Sequence, residues 1–262
     1  MLLMTAELHN PTQNALLNNL PVDEYQRLLP HLELVQMPLG KVLYESGDEL
    51  HYAYFPTTCI VSKLYMMENG GSAEIAVIGN DGMIGIALFT GGKSMPNRAV
   101  VRSAGYAYRL RAQLLMQELE RSGGRRSGGL HCVLLRYSQA LITQMAQMAV
   151  CNRHHSVNQQ LCRWLLLTLD RLPSNELTIT QELIASMLGV RREGVTEAAG
   201  KLQKDGLIVY SRGHIRVLDR PGLEERVCEC YQVVYSESNR LLAPIPPASR
   251  RTAITPRLRA VR

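Results

Sequence analysis

Charged side chains follow one face of a predicted helix from residue 191 onward, and their types define what they can bind. Arg191 and Arg192 carry guanidinium groups, which pair with phosphate and with planar hydrogen-bond acceptors. Glu193 and Glu197 add carboxylates, which accept hydrogen bonds from amines, and Lys201 adds a further cation. If the chain holds these groups in place, they can bind an anionic polymer and also distinguish among its hydrogen-bonding groups.

The surrounding residues have the spacing of two helices joined by a tight turn. Gly189 stands between them, where a residue that adopts φ > 0 ends the first helix. The apolar stripes at helical spacing are Leu183, Ile184, Met187 and Leu188, then Val195, Ala198, Ala199 and Leu202. Strands are predicted at 207–210 and 214–218, joined around Arg212-Gly213. This order is typical of proteins that place one helix in the major groove of DNA, and a small helical subdomain with a solvated charged face is the alternative.

At this point the sequence resembles a family. The segment ITQELIASMLGVRREGVTEAAGKL, at 179–202, is similar to the DNA-binding helices of Crp/Fnr-type bacterial transcription regulators, and RGHIRV is similar to their wing. LGKVLYESGDELHYAYFP resembles the opening of their β-roll. The resemblance implies an α+β fold with an N-terminal β-roll, a double-stranded jelly-roll-like sensor domain, followed by a long dimerisation helix and a C-terminal winged helix-turn-helix. The expected boundaries are 1–129 for the sensor, 130–171 for the helix and connector, 172–243 for the winged domain and 244–262 for a basic tail.

The resemblance also assigns roles in DNA binding. Arg192, Glu193 and Glu197 fall at base-reading positions, where Arg192 can pair with guanine and Glu193 can accept from a cytosine amine. Relatives often have arginine at the third position, so Glu197 means that their operator cannot be assumed. An intrahelical pair of Glu197 with Lys201 is the alternative. The candidate phosphate contacts are Thr180, Gln181, Arg191, Lys201, Ser211, Arg212 and His214.

A long helix is predicted from Leu130 to about Arg153. A heptad seam runs along it, with polar Gln144 at one position, and other apolar residues lie on further faces. The seam residues are Leu134, Tyr137, Leu141, Met148, Cys151 and His155. The resemblance implies that one face meets the β-roll and that the seam meets the same helix of a second subunit, which makes a homodimer. A helix buried within a monomer is the alternative.

The first third of the chain predicts a sandwich or barrel of short strands. The predicted strands are 34–37, 42–44, 53–56, 60–65, 74–78, 98–102 and 107–110. The resemblance places a degenerate ligand pocket at Gly85, Ile86, Asn97 and Arg98. Cyclic-nucleotide binders have Gly-Glu where this chain has Gly85-Ile86, and they have the phosphate-binding arginine where it has Asn97. We therefore expect no cyclic AMP binding in the usual mode and leave an unknown small-molecule effector open.

The six cysteines show no disulfide framework, which is typical of a reducing compartment. No cysteine precedes Cys59, so the N-terminal iron–sulfur centre of some relatives is not expected. The segments 151–155 and 228–230 hold cysteine and histidine, but neither supplies four ligands by itself. We therefore predict no metal site and no cofactor. No nucleophile–base signature or P-loop is present, so we predict a protein that is not an enzyme.

Net charge gives little information about partners. Of the 29 lysines and arginines, five lie in 244–262, which leaves 24 against 23 acidic residues in the rest of the chain. That Pro- and Arg-rich tail is expected to be disordered, either inert or attracted to phosphate. With no long apolar run and no secretion signal, the chain is expected in the cytoplasm, away from membranes. The expected partners are double-stranded DNA, a second copy and, for an activator, RNA polymerase; a module whose helix-turn-helix contacts protein is the alternative.

Overall fold

The computed structural model describes residues 9–68, 70–121, 128–172 and 174–243. The chain enters through two short helices, α1 (Ala15–Asn18) and α2 (Val22–Leu28), flanked by single 3-10 turns. The fully buried Asn14 caps α1, because its side chain accepts hydrogen bonds from the first backbone amides of the helix. Its amide nitrogen also donates to the carbonyls of Pro56 at 2.9 Å and Gly82 at 2.8 Å, which fixes the lead helices to the sensor domain.

Seven strands form two antiparallel sheets in the order β1-β7-β3 and β2-β6-β4-β5, as the sequence predicted for a β-roll. The strands are β1 (Glu33–Met37), β2 (Val42–Tyr44), β3 (Tyr52–Pro56), β4 (Ile60–Met66), β5 (Ser72–Ile78), β6 (Arg98–Ser103) and β7 (Gly105–Arg111). A single-turn helix, α3 (Ala87–Thr90), connects β5 to β6. One core contains apolar residues of both sheets, among them Met37, Val61, Ile78 and Ala107.

Three helices connect the roll to the C-terminal domain: α4 (Ala112–Arg121), α5 (Gly129–His154) and α6 (Val157–Leu169). The long helix α5 matches the prediction within a residue at each end. Helix α6 begins with a capping box between Ser156 and Gln159, and ten consecutive residues from Gln160 onward are buried. Because it is covered on every side, α6 forms the centre of the C-terminal core. No helix within the described ranges is both long and apolar enough to cross a membrane.

The residues of the predicted dimer seam are covered by other parts of the same chain. Leu134, Tyr137 and Leu141 pack in the core of the roll, and the Tyr137 hydroxyl donates to the Met83 carbonyl at 2.9 Å. Gln144 binds the edge of β5, with its side-chain oxygen and nitrogen each 3.2 Å from the backbone of Val77. The remaining seam residues are covered as well: Met148 and Cys151 are buried, and His155 is half-buried. The residues of this heptad pattern therefore pack against other parts of the same chain.

The winged unit has two helices and a three-stranded sheet in the order β8-β10-β9. Its elements are β8 (Glu176–Thr178), α7 (Gln181–Leu188), α8 (Arg192–Lys204), β9 (Ile208–Ser211) and β10 (His214–Val217). The sequence did not predict β8. After Asp219 the chain forms two helices, α9 (Arg220–Arg226) and α10 (Glu229–Leu242), which are separate because the chain is extended at Val227 and Cys228. Helix α10 packs along α5.

Helix α7 packs directly against the sensor strand β5. Ser72 and Ser186 lie with their hydroxyl oxygens 2.6 Å apart across this contact. The apolar residues Ile60 and Val77 of the roll belong to the same core as the winged domain. The two domains therefore share a packed interface rather than a flexible linkage.

Candidate nucleic-acid interface

Local sequence fixes the two helices of the interface. The Thr180 hydroxyl accepts a hydrogen bond from the Leu183 amide at 3.2 Å and so caps α7. Gly189 ends α7 with φ of 67°, a left-handed conformation that a residue without Cβ adopts at no steric cost. The buried face of α8 consists of Val195, Ala198, Ala199 and Leu202, as its spacing predicted.

The predicted base-reading residues all lie on the exposed face of α8. Arg192 and Glu193 occupy its first turn and Glu197 its second, and all three are exposed. Arg191 precedes the helix as its N-cap residue without a side-chain capping bond; its carbonyl accepts from the Gly194 amide at 3.1 Å, which leaves the amides of Arg192 and Glu193 to face an anion. The arrangement gives a helix N-terminus with two guanidinium groups beside it.

The wing presents its tip on the same side of the domain. Arg212 and Gly213 form the two-residue turn between β9 and β10, and both have positive φ, at 50° and 79°. Such a pair is typical of a tight hairpin turn that matches the strand twist. His214 follows the turn, with its Nδ1 3.3 Å from the Thr178 hydroxyl on β8. Ser211, Arg212 and His214 are exposed, which leaves them accessible to a partner.

A shallow concave surface, which encloses about 250 Å³, lies between the helices and the wing. Its lining brings together the start of α7, the start of α8 and the turn of the wing: Thr180, Gln181, Arg192, Tyr210, Arg212 and Gly213. The Tyr210 hydroxyl donates to the Ile179 carbonyl at 3.0 Å, which holds the wing against the entry to α7. Residues that are up to 33 positions apart in sequence therefore line one concave surface, which carries the guanidinium groups of Arg192 and Arg212.

Two further side chains at or beside this surface, Tyr210 and Thr196, were not among the predicted contacts. Tyr210 lines the concave surface, and Thr196 donates from its hydroxyl to the Gln181 side-chain oxygen at 2.7 Å. Thr196 lies one turn after Arg192 on the exposed face, a spacing that could have identified it. Tyr210 had no such signal, because its position depends on how the hairpin folds back over α7.

Glu197 and Lys201 form an ion pair on α8, with Nζ and Oε1 2.7 Å apart. The hydrogen bond from Lys201 holds the pKa of the Glu197 carboxyl below its usual range. Both side chains are exposed, so the pair can open to solvent or to a partner. The structure thus contains the intrahelical pair that was the alternative role for Glu197.

Of the degenerate pocket residues, Gly85 and Ile86 directly precede α3, and Asn97 and Arg98 lie at the start of β6. Gly85 has φ of 105°, and a Cβ there would lie 3.2 Å from the Tyr52 carbonyl oxygen. Asn97 is buried, and its side-chain oxygen accepts a hydrogen bond from the Tyr44 hydroxyl at 3.1 Å. Arg98 contacts Glu45 instead, with Nε and Oε1 3.2 Å apart, and remains about one-third exposed. Ile86 precedes α3 without capping it.

Comparison with known proteins identifies the domain and the fold. Residues 159–226 match the family model of the Crp-like helix-turn-helix domain. FixK2 from Bradyrhizobium japonicum aligns with a TM-score of 0.62 at 14% identity, over 75% of this chain and 98% of that one. A transcriptional regulator of the CRP family from Thermus thermophilus aligns with a TM-score of 0.58 at 18% identity, over 73% and 95% of the two chains.

The c-di-GMP-responsive global regulator CLP from Xanthomonas campestris aligns with a TM-score of 0.56 at 18% identity, over 76% of this chain and 100% of that one. A search of curated proteins finds no match. Two of these three proteins are described as a transcriptional regulator and a global regulator, and none is described as an enzyme.

Proposed function

Because the chain has the fold of the Crp/Fnr regulators and carries their helix-turn-helix domain, we propose that it is a sequence-specific transcription regulator that binds DNA as a homodimer. In this proposal α8 enters the major groove, and its first two turns contact the bases. The flanking phosphates are contacted from the start of α7, from α8 with its N-cap residue, and from the wing, through Thr180, Gln181, Arg191, Lys201, Ser211, Arg212 and His214.

The observation that carries the proposal is the concave surface shared by α7, α8 and the wing. It places the guanidinium groups of Arg192 and Arg212 beside the start of α8, so that Arg192 can face a base while Arg212 and the first amides of the helix face the phosphate backbone. The exposed Glu193 is the specific element, because a carboxylate near phosphates is costly unless it accepts from a base such as cytosine. A surface built only for protein contact has no need of this combination.

Selection of bound duplexes from a random pool, with the full chain, tests this proposal directly. We expect enrichment of a pseudo-palindromic site whose half-sites lie about one helical turn apart. Affinity for that site should fall steeply as salt rises, because phosphate contacts release counterions. If no sequence is enriched and salt-sensitive binding is absent, the helix-turn-helix contacts protein instead.

Replacement of Arg192 by Ala should relax base discrimination. We expect a loss of about 1–3 kcal/mol on the selected site, with little change on a scrambled duplex, since a bidentate contact to guanine is removed. Competition gel shifts with the two duplexes measure this difference. Lys41→Ala is the matched control, because it removes an exposed cation from the roll. Unchanged discrimination by Arg192→Ala would exclude it as a base-reading residue.

The face of α5 that is exposed and could bind a second copy is not the face that the sequence suggested. Leu135 is 52% exposed and Ile142 is 59% exposed, although both are large and apolar. Ala146 and Ala149 continue the exposed stripe at alternating spacings of three and four residues, and Gln139 lies between the leucine and the isoleucine. This is the spacing of a two-helix seam. We propose that the outer stripe (Leu135, Gln139, Ile142, Ala146, Ala149) forms the dimer interface while the inner face remains on the roll.

Ile142→Glu should therefore dissociate the dimer. In a two-fold interface each substitution appears twice, so two carboxylates replace an apolar pair. We expect the dissociation constant to rise by about a hundredfold, or about 3 kcal/mol. Sedimentation velocity over a concentration series measures it, with Leu39→Glu as the control, because Leu39 is 56% exposed on the roll. A dimer that tolerates Ile142→Glu would place the interface elsewhere.

We propose that the roll does not bind cyclic AMP in the usual mode. Asn97 is bound to Tyr44 inside the roll, and Arg98 is turned toward Glu45, so neither offers a buried cation to a cyclic phosphate. Titration with fluorescent cyclic AMP should show no saturable binding. Tight binding of cyclic AMP that is not displaced by an adenosine analogue without a phosphate would contradict this proposal.

A further inference from the structure

Three cysteines and one histidine converge where the end of α5 meets the start of α10. Cys151 lies in the last turn of α5, and His155 is the residue that ends it. Cys228 precedes α10 as its N-cap residue, and Cys230 lies in its first turn. The three sulfurs and a ring nitrogen of the histidine all lie within 4.8 Å of one another. The two segments that each lacked four ligands in sequence therefore supply them jointly.

Two of the separations match those around one tetrahedral ion, and the remaining ones are within 4.8 Å. The Sγ atoms of Cys151 and Cys228 are 3.5 Å apart, and the Cys230 Sγ lies 3.6 Å from His155 Nδ1. Zinc bonds of about 2.3 Å to sulfur and about 2.0 Å to nitrogen place neighbouring ligands of a tetrahedron roughly 3.5–3.8 Å apart. An iron–sulfur cluster requires a wider set, because its ligands bind different iron atoms.

The histidine is oriented as a metal ligand. Its Nδ1 faces Cys230, while its Nε2 lies 3.4 Å from Glu229 Oε1. Metal-binding histidines regularly donate their second nitrogen to a carboxylate, which fixes the tautomer and leaves the other nitrogen to the metal. Cys151, Cys228 and Cys230 are buried, whereas the His155 side chain is 15% exposed and offers a path for the ion.

A buried cation beside the cysteines is an independent observation that points to the same ligand. Arg163 is 1% exposed, and its positive charge acts on the Cys151 sulfur. Within the described ranges, its Nε and Nη1 have no hydrogen-bond partner, and its Nη2 contacts only the side-chain oxygen of Asn152 at 3.4 Å. A buried guanidinium needs a negative partner. Three thiolates around one divalent cation carry a net charge of −1, which supplies it.

We propose that Cys151, His155, Cys228 and Cys230 bind a single zinc-like divalent cation, with Glu229 orienting the histidine and Arg163 balancing the charge of the thiolates. Each cysteine gives up its thiol proton when it coordinates the ion. The site joins the end of the long helix to α10, and so it connects the sensor-bearing helix to the C-terminal region that packs beside the winged domain.

A disulfide between Cys151 and Cys228 is the competing chemistry. It would use two of the four groups and would leave Cys230, His155 and the charge of Arg163 without a role. The single-ion site accounts for all five side chains. The two states also differ in a measurable way, because disulfide formation is a two-electron oxidation that removes two thiols from the ligand set and leaves no tetrahedral site.

The test uses the full chain, purified without oxygen, then stripped of metal and titrated with Co²⁺. We expect one equivalent per chain, with thiolate-to-cobalt charge-transfer absorption and the strong visible bands of a tetrahedral ion. Elemental analysis of the unstripped protein should give one zinc per chain. A Cys151–Cys228 disulfide in that anaerobic protein, found by mass spectrometry together with less than a tenth of an equivalent of zinc, would overturn the proposal.

Variants separate coordination from folding. Cys230→Ser should lower Co²⁺ affinity at least tenfold, whereas Cys59→Ala removes a buried thiol of the roll and should leave the titration unchanged. His155→Cys should keep the ion, because His155 is partly exposed and a fourth thiolate can replace it, and the charge-transfer absorption should increase. A spectrum that responds to neither Cys230→Ser nor His155→Cys would overturn the assignment of these ligands, whatever the stability of the variants.

Discussion

Glu74→Ala should lower the free energy of unfolding by about 3–5 kcal/mol, because it leaves a buried guanidinium without its counter-ion. The side chains of Arg102 and Glu74 are only 3% and 1% exposed, and Arg102 Nη1 lies 3.1 Å from Glu74 Oε2. Ser62 donates a further hydrogen bond to the same carboxylate. Burial alone would lower the pKa of Arg102, and the charge of Glu74 opposes that effect.

The pair also connects two domains, which adds to the expected cost. Arg102 Nη2 donates to the Thr168 hydroxyl at 2.7 Å, and its guanidinium lies 4.6 Å from the ring centre of Trp164. Both partners belong to α6, the central helix of the C-terminal core. Loss of Glu74 should therefore loosen the contact between roll and winged domain as well as destabilise the roll.

Urea denaturation followed by tryptophan fluorescence measures the effect, since Trp164 is the only tryptophan. Glu33→Ala is the matched control, because the Arg109–Glu33 pair is 34% and 46% exposed and should contribute at most about 1 kcal/mol. The double variant Glu74→Leu with Arg102→Met should recover much of the loss, because no unpaired charge then remains buried. Equal losses in the control and in Glu74→Ala would contradict this account of the pair.

Lys63→Met should raise the free energy of unfolding by about 3 kcal/mol at neutral pH. Lys63 is 2% exposed on β4, and its neighbours in register are Ala76 and Ala99. Burial lowers the pKa of its ammonium from 10.5 to about 8. Met keeps most of the length of the side chain but has no charge to desolvate, so the substitution removes the cost and little of the packing.

The stabilising effect of Lys63→Met should fade in alkaline solution. Below a pH of about 8 both states of the wild type hold the proton, and the folded state carries the full cost of the buried charge. Between about 8 and 10.5 the folded state loses the proton while the unfolded state keeps it, so wild-type stability rises with pH. Denaturation at several pH values checks this slope, with Lys41→Met, an exposed site, as the control. A difference between wild type and Lys63→Met that is independent of pH would contradict the assignment.

The helix-turn-helix was predictable because its determinants are local. Gly189 and the apolar stripes of the two helices each act within one or two turns of their own position, and the structure confirms the elements that they define. The strands of the roll were predictable for the same reason, since alternation and turn residues are read over short windows. The roles of individual residues toward DNA remain predictions, because exposure on the right face does not identify a partner.

The orientation of α5 was not predictable from its sequence. The helix is apolar on several faces, and heptad spacing fits both the inner face with Tyr137 and the outer stripe with Ile142. Only the positions of the roll and of α10 decide which face is covered within the chain. The cysteine cluster escaped prediction for a related reason: Cys151 and Cys228 are 77 positions apart and meet only because α10 folds back along α5.

The contact between β5 and α7 has a consequence for control of the protein. Under the proposed DNA-binding function, a molecule that displaces β5 also shifts α7, which packs against the proposed reading helix α8. Such a linkage is reciprocal, so operator DNA must change the affinity of that molecule by the same factor. The operator can therefore serve as the reagent that reveals an effector: compounds whose binding to the chain strengthens or weakens when cognate DNA is added are those that use this contact.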